Sequence, residues 1–459
     1  MGQEGTGALT GTPTLVAFGC PNCGWTGEFD TRFVQWCEGC GFNADTAPEK
    51  PPKPRVARRR ERARARAEQL CEELTTAEDL RPTSATGVAV TIAATLVHLA
   101  TVALVVGSIL AIKTWSGKYW WGWPLGIFGL LLALAVRPQV WGVLRKPRGL
   151  DESCLTRDRA PALFGLLDRC AAQLKAPAPD YVLVDARFNA STRDIGLRRK
   201  KLLTLGVPLW SILTGPQRVA LLGHEMGHQV NRDVTHGLWA MMARRSLVEW
   251  VKMFNPRESG FERFTRRRRE RSDFIQALAS LLTPLFIFLV CGPIFLVALG
   301  CYFWLTRLDL RCGQRAEHLA DELGARLGSS AAATSLAERL ALAESVDYFL
   351  RRLKSERFKE DPWPRLRDYI DSIPDHELRR RLLLDEQRGT RIDATHPANY
   401  LRRRLLAARP QLPAAVEVDD AEWTAIDAEL RQYYAMAAHS LIGTPLNAAK
   451  RAAAKRVAA

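Results

Sequence analysis

The 459-residue chain divides by its pattern of apolar and charged positions before any motif is considered. No charged residue occurs from Pro82 to Ile112, and a second apolar run extends from Tyr119 to Val136, with "KTWSGK" between the two. At about 1.5 Å per helical residue, such runs can cross a hydrocarbon core of about 30 Å. They predict a transmembrane helical hairpin over 82–138. The cluster "YWWGW" (119–123) suits an interfacial aromatic belt, and Arg137, Arg145, Lys146 and Arg148 follow the second run. From about residue 150 the patterning becomes that of a soluble domain, taken to extend over 139–410. There "YVLVD" (181–185) and "KLLTLGVPL" (201–209) predict strands, and the segments around 161–174 and 213–230 predict helices. The fold expected is mainly α with a small β-sheet. Residues 411–459 predict a helical basic tail.

Charge refines this division. Lys and Arg number 65 against 49 Asp and Glu, a formal charge of +16, and much of the excess lies in "PKPRVARRRERARAR" (52–66) and "RFTRRRRER" (263–271). Basic blocks next to apolar runs point to a cytoplasmic, anionic membrane face, so a lipid bilayer is the expected partner. Aromatic-interleaved basic motifs are missing, and nucleic acid is not expected. The first of these blocks makes 51–81 a basic linker. No signal peptide is expected, because residues 1–19 lack a basic start and a sufficient apolar core.

Four of the ten cysteines are patterned. Cys20, Cys23, Cys37 and Cys40 form two C-x2-C pairs thirteen residues apart, each followed by glycine, within residues 1–50. Two such knuckles aim four thiolates at one ion, so they predict a zinc ribbon with a closed structural Zn2+ site. A closed site has no open position for chemistry, and the ribbon is expected to organise structure or meet a protein partner. The other six cysteines are scattered, as suits a reducing compartment.

The stretch "LLGHEMGHQVNRD" (221–233) carries the chemistry. His224 and His228 stand four apart, so on a helix both imidazoles leave one face and can hold one ion. Glu225 is then placed to accept the proton of an attacking water. A third protein ligand is needed. His236 is the nearest downstream histidine, but it lacks the glycine turn that would return it to the metal. The segment "GQRAEHLADELGARL" (313–327) offers Glu317 and, four residues on, Asp321 on the same face. Glu317 can ligate while Asp321 bonds a ligand histidine and fixes its tautomer.

The H-E-x-G-H helix with Asp233 nine residues after His224, the E-x-x-A-D helix, and "THP" at 395–397 together resemble the HtpX and CAAX prenyl endopeptidase family of membrane zinc metallopeptidases. The resemblance spans about residues 85–406 and includes the membrane hairpin, "FNAS" (188–191) and "KLLTLGVPL". It implies a zincin-like metallopeptidase domain of gluzincin type, with His224, His228 and Glu317 as ligands of a catalytic Zn2+ and Glu225 as base. It also puts His396 near the cleft, where we expect it to stabilise an oxyanion, and Asp233 beside the metal helix. An edge strand around Leu203 and Thr204 is expected to pair with an extended protein or peptide substrate. Three departures stand out: His318 follows Glu317 where the family more often has an aromatic, the zinc ribbon is an addition, and 256–272 is an Arg-rich insert. At about 100° round the helix from Glu317, His318 should not join the same metal.

The ligands constrain topology, because an even number of crossings must separate His228 from Glu317. Residues 234–254 carry Arg244, Arg245, Glu249 and Lys252, which are costly in lipid. They are therefore expected at the membrane surface or against the domain. Residues 274–306, interrupted by Pro284, Gly292 and Pro293, are expected to dip into the membrane and return, with a full two-helix hairpin as the alternative. The functional expectation is a cell-membrane zinc endopeptidase with ribbon and catalytic domain on the cytoplasmic side, acting in quality control or processing. The rivals are a membrane signalling protein and a non-catalytic zinc-ribbon scaffold.

Overall fold

The computed structural model describes residues 14–46, 53–81, 84–115, 117–136, 154–196, 198–230, 233–255, 274–388 and 397–443. Two compact units emerge: residues 1–81, 146–231 and 314–459 form the first, and 82–145 with 232–313 the second.

The first unit opens with a hairpin of β1 (Leu15–Gly19) and β2 (Thr26–Asp30). It continues with α1 (Pro54–Thr75), α4 (Pro161–Leu174), and a three-stranded sheet of β3 (Tyr181–Asp185), β4 (Ala190–Ile195) and β5 (Lys200–Gly206). The sheet order is β3-β5-β4, with β5 parallel to β3 and antiparallel to β4. Next come α5 (Val207–Ile212), α6 (Gly215–Val230), the end of α8 (Phe274–Gly328), α9 (Ser330–Leu340), α10 (Ala343–Ser355), α11 (Pro362–Asp371), α12 (Asp375–Arg388), α13 (Asn399–Ala408) and α14 (Asp420–Ile442). One continuous apolar core joins α1, α4, the sheet, α6, α8 to α11, α13 and α14.

At the centre of this core lies α6, whose residues from Gln217 to Gly227 are all buried. A helix buried all round is held by neighbours on every side, which suits an element that must keep side chains in fixed positions. Its start is set locally. The Gln217 side chain reaches back to the Thr214 N–H at 2.9 Å, as in a capping box, and its amide donates to Ser335 Oγ at 2.7 Å. Arg218 is buried between the Trp210 and Trp423 rings, 5.0 and 5.2 Å from their centroids, and pairs with Asp427.

Several expectations change here. "KLLTLGVPL" is a strand only as far as Gly206 and becomes a helix at Val207, with Pro208 in the first turn where its missing N–H costs nothing. The stretch read as a basic linker holds the 22-residue α1, which buries Ala67, Cys71 and Leu74 in the core. Its Cys71 thiol and Glu68 carboxylate meet Leu401 O and the Tyr400 hydroxyl of α13. The presumed tail supplies α14, which places Ile426, Leu430, Ala437 and Ala438 in the same core. Within the stretch 411–459 the helix α14 is therefore an integral layer of the first unit.

The second unit contains α2 (Ser84–Trp115), α3 (Gly122–Val136), α7 (Asp233–Phe254) and the first part of α8. Val90, Ala93 and Ala94 of α2 pack on Ala240, Ala243 and Leu247 of α7 and on Leu305 of α8. Small residues let these helices approach closely. Thus α7 lies along α2, with Trp239 Nε1 donating to Thr95 Oγ1 at 3.0 Å. Residues 274–306 do not turn back on themselves. They belong to α8, 55 residues long, which runs through Pro284, Gly292 and Pro293. A proline within a helix forfeits one backbone bond and bends it, but it does not reverse the chain.

Candidate metal centre

Two helices meet through their small residues. A β-carbon added to Gly223 of α6 would lie 2.9 Å from Gly324 Cα, and one on Gly227 would lie 3.0 Å from Ala320 Cα. A β-carbon on Gly324 would lie 2.7 Å from Ala220 O, and one on Gly328 2.6 Å from Ala220 N. Glycine and alanine three or four residues apart on α6 (Ala220, Gly223, Gly227) and every fourth residue on α8 (Ala320, Gly324, Gly328) form a seam with no side-chain layer, and backbones come into contact. That approach brings the end of α8 against His224 and His228.

His224, His228 and Glu317 then offer ligand atoms that all lie within 4.8 Å of one another. Glu317 Oε2 is 3.6 Å from His224 Nε2, and its Oε1 is 3.7 Å from His228 Nε2. His224 Nδ1 lies 2.9 Å from Asp321 Oδ1. The carboxylate can only accept, so Nδ1 carries the proton and the Nε2 lone pair is turned toward the cluster. Glu225 is buried beside His224, and Thr192 Oγ1 of β4 donates to its backbone carbonyl at 2.9 Å. His318 is buried but lies outside the ligand cluster, and burial lowers its pKa against the opposing charges of Asp321 and Glu317.

Arg402, on α13, completes the site and has no local signature in its Arg-rich segment. It is buried, and its guanidinium forks onto Asp321, with Nη2 at 2.5 Å from Oδ1 and Nε at 2.9 Å from Oδ2. Nη2 also lies 3.5 Å from His224 Nδ1. Burial alone would raise the pKa of Asp321, but Arg402 and the His224 bond outweigh it and hold the carboxyl far below the usual range. For His224, burial favours the neutral ring, but the bond it donates to Asp321 reverses the sign and raises its pKa.

The donor set fits a zinc ion: two imidazole nitrogens and one carboxylate, with a fourth position available for water. Charge agrees. Glu225, Glu317 and Asp321 are buried with Arg402 as counter-cation, and ionised carboxylates there leave two negative charges that a divalent cation would cancel.

The four cysteines form a second cluster within the same limit. Cys20 and Cys40 Sγ are 3.7 Å apart, and Cys23 and Cys37 Sγ 3.4 Å. Thiolates about 2.3 Å from a tetrahedral ion would be about 3.8 Å from one another, so this set too fits zinc. Gly24 and Gly41 close the knuckles at φ +75° and +72°, where a side chain would be strained. The segment that carries these cysteines packs on α12: Phe29 meets the His376 ring at 4.7 Å, Arg380 donates to Ala44 O at 2.7 Å, and Arg379 pairs with Glu38.

Two expected site residues change place. Leu203 and Thr204 lie in β5, the central strand, already paired with β3 and β4, and cannot accept a further strand. The outer strands are β3, whose free side is bridged to Leu155 at Val182, and β4. Since the Gly206 N–H donates to Asn189 O, alternation turns the backbone groups of Ala190, Thr192 and Asp194 outward. His396 and the side chain of Asp233 lie outside the described residues.

The family model of peptidase family M48 matches residues 158–409, more than half of the chain, and takes in His224, His228 and Glu317 but not the four cysteines. No curated protein and no solved structure matches the chain. The chain belongs to peptidase family M48, and it is a metallopeptidase of a zinc-dependent family.

Proposed function

We propose that this metallopeptidase is a membrane-anchored endopeptidase of the HtpX and CAAX prenyl endopeptidase type, hydrolysing protein or peptide substrates on the cytoplasmic side. The observation that carries the proposal is the buried His224, His228 and Glu317 cluster with Glu225 on the same helix. Bound there, Zn2+ supplies a Lewis acid that polarises the scissile carbonyl and acidifies water. Glu225 accepts the proton of the attacking water and passes it to the leaving amine. Asp321 keeps His224 in the ligating tautomer, and Arg402 keeps Asp321 charged and oriented. The outward N–H and C=O groups of β4 hold the substrate backbone extended beside Glu225, taking the role first expected of Leu203 and Thr204. His396 remains the proposed oxyanion donor, and Asp233 a support of the metal helix.

Membrane anchoring is supported by length and by surface. Gly87–Trp115 and Cys291–Gly328 are long and apolar enough to cross a bilayer. Ile92, Leu96, Leu99, Val102 and Val106 of α2 are exposed, a row of aliphatic side chains that water would not tolerate at this density. Basic residues on both sides of α2 and α3 favour a cytoplasmic position for both domains. The ribbon holds a second, structural Zn2+.

The test is Glu225→Gln in the reconstituted protein. The variant should keep two zinc ions per chain and lose cleavage of an unfolded-protein substrate by about 10²- to 10⁴-fold. Cleavage at the parent rate would remove Glu225 from the mechanism.

A further inference from the structure

Helix α1 has two faces of different character. One, with Ala67, Cys71 and Leu74, is buried against α13, and the contacts from Glu68 to Tyr400 and from Glu72 to Arg404 extend that seam. On the other face Arg55, Arg58, Arg62 and Arg66 are exposed and have no ion-pair partner among the described residues. At 3.6 residues per turn these four fall within an arc of about 80°, roughly opposite the buried face. By contrast Arg64, turned toward the seam, is held by Glu68 and Glu386. The stripe is therefore a continuous unpaired cationic surface on a helix fixed to the catalytic unit.

We propose that this stripe binds the anionic headgroups of the bilayer and fixes the catalytic unit on the membrane surface. The inference rests on the membrane reading above. Chain continuity selects lipid as the partner. The helix α1 ends at Thr75 and the candidate span α2 begins at Ser84. The intervening residues extend at most about 3.5 Å each, so the chain tethers the Thr75 end of α1 within about 30 Å of the start of α2, and the stripe begins about 13 Å and ends about 30 Å further up the helix. Four guanidinium groups on one face match a surface of repeated phosphates, and their attraction persists where it is not screened by salt. Binding at the stripe leaves the opposite face on α13, so the element that carries Arg402 keeps its contacts.

The full-length protein in bilayer discs of phosphatidylcholine, with or without phosphatidylglycerol, tests this. Trypsin cleavage after Arg55, Arg58, Arg62 and Arg66 is compared with cleavage after exposed Arg351. Anionic discs should slow the four cuts by about fivefold or more, leave Arg351 unaffected, and lose the protection at about 0.5 M salt. The variant R55Q/R58Q/R62Q/R66Q should keep its zinc content and peptidase activity while losing preference for spin-labelled phosphatidylglycerol over phosphatidylcholine. Equal cleavage in both discs overturns the proposal alone. Protection by an oligonucleotide duplex in zwitterionic discs overturns it in favour of nucleic acid. A chain that stays in solution without detergent and enters neither disc overturns the membrane reading as well.

Discussion

Gly223 on the histidine helix and Gly324 on the glutamate helix face each other so closely that a β-carbon at Gly223 would lie 2.9 Å from the other's Cα. The backbone contact sets how far Glu317 stands from His224 and His228. Replacing Gly223 with alanine forces α6 and α8 apart. Overpacking of this kind costs about 1–3 kcal/mol, and ligand distances here tolerate little displacement. The G223A protein should lose the catalytic zinc while retaining the ribbon zinc. Metal analysis beside a thermal melt checks this, and two retained zinc ions with full activity would refute the role of the seam.

Arg402 should act on metal affinity through Asp321 without touching substrate. Arg402→Met leaves Asp321 buried without its partner, and breaking a buried pair costs about 3–5 kcal/mol. Loss of such a supporting group lowers metal affinity by about 10- to 100-fold. Arg402→Lys keeps the charge but not the fork, and should fall between the two. Competition with a zinc chelator reads the effect directly. Wild-type affinity in a folded Arg402→Met protein would show that Asp321 holds His224 unaided.

What could be read from the chain followed the range of the interactions. The H-E-x-x-H spacing and the C-x2-C knuckles are local geometry, and their ligand atoms come together in the structure. Glu317 required a long-range pairing, but the helix around it carries its own pattern. Arg402 has no such pattern, being one arginine among Arg402, Arg403 and Arg404. Its role arises only from burial beside Asp321. The strand order failed for the same reason: "KLLTLG" is rich in leucine because β5 is central and covered on both faces, the pattern of an interior strand and not an edge. In α1 and in 411–459 the density of charge hides short apolar faces, Cys71 with Leu74 and Ile426 with Leu430, which tie both segments into the core. The glycine seam was visible as G-x-x-x-G at 223–227 beside A-x-x-x-G-x-x-x-G at 320–328.

The ribbon should report pH through His376. Its ring meets Phe29, its Nε2 is buried without a partner, and burial lowers its pKa below the usual value. A histidine depressed on folding contributes stability that is fully present above its unfolded pKa, about 6.5, and is lost as pH falls from there through the folded value. Release of the ribbon zinc to a chelator should therefore accelerate between about pH 7.5 and 5.5. Cysteine protonation adds to the same trend, so the comparison is with His376→Phe, which keeps the ring contact and removes the titration. The two proteins should match at the upper pH and diverge at the lower. Parallel curves would assign the whole effect to the thiols.

The outer strand β4 can be tested without disturbing the metal. Thr192 turns its backbone N–H away from β5, so proline there removes a donor the sheet does not use, at an edge position where proline is tolerated. If a substrate backbone adds to β4, Thr192→Pro loses one bond to it and should raise KM by roughly 5- to 15-fold, about 1–1.5 kcal/mol. The same change removes the hydroxyl bond to the Glu225 carbonyl, so Thr192→Val, which loses only that bond, is the control. An effect on KM confined to the proline variant, at constant zinc content, assigns β4 as the substrate-binding edge. Equal KM in both variants would move the substrate off this strand, and a shared fall in kcat would show that Thr192 serves Glu225 through its hydroxyl.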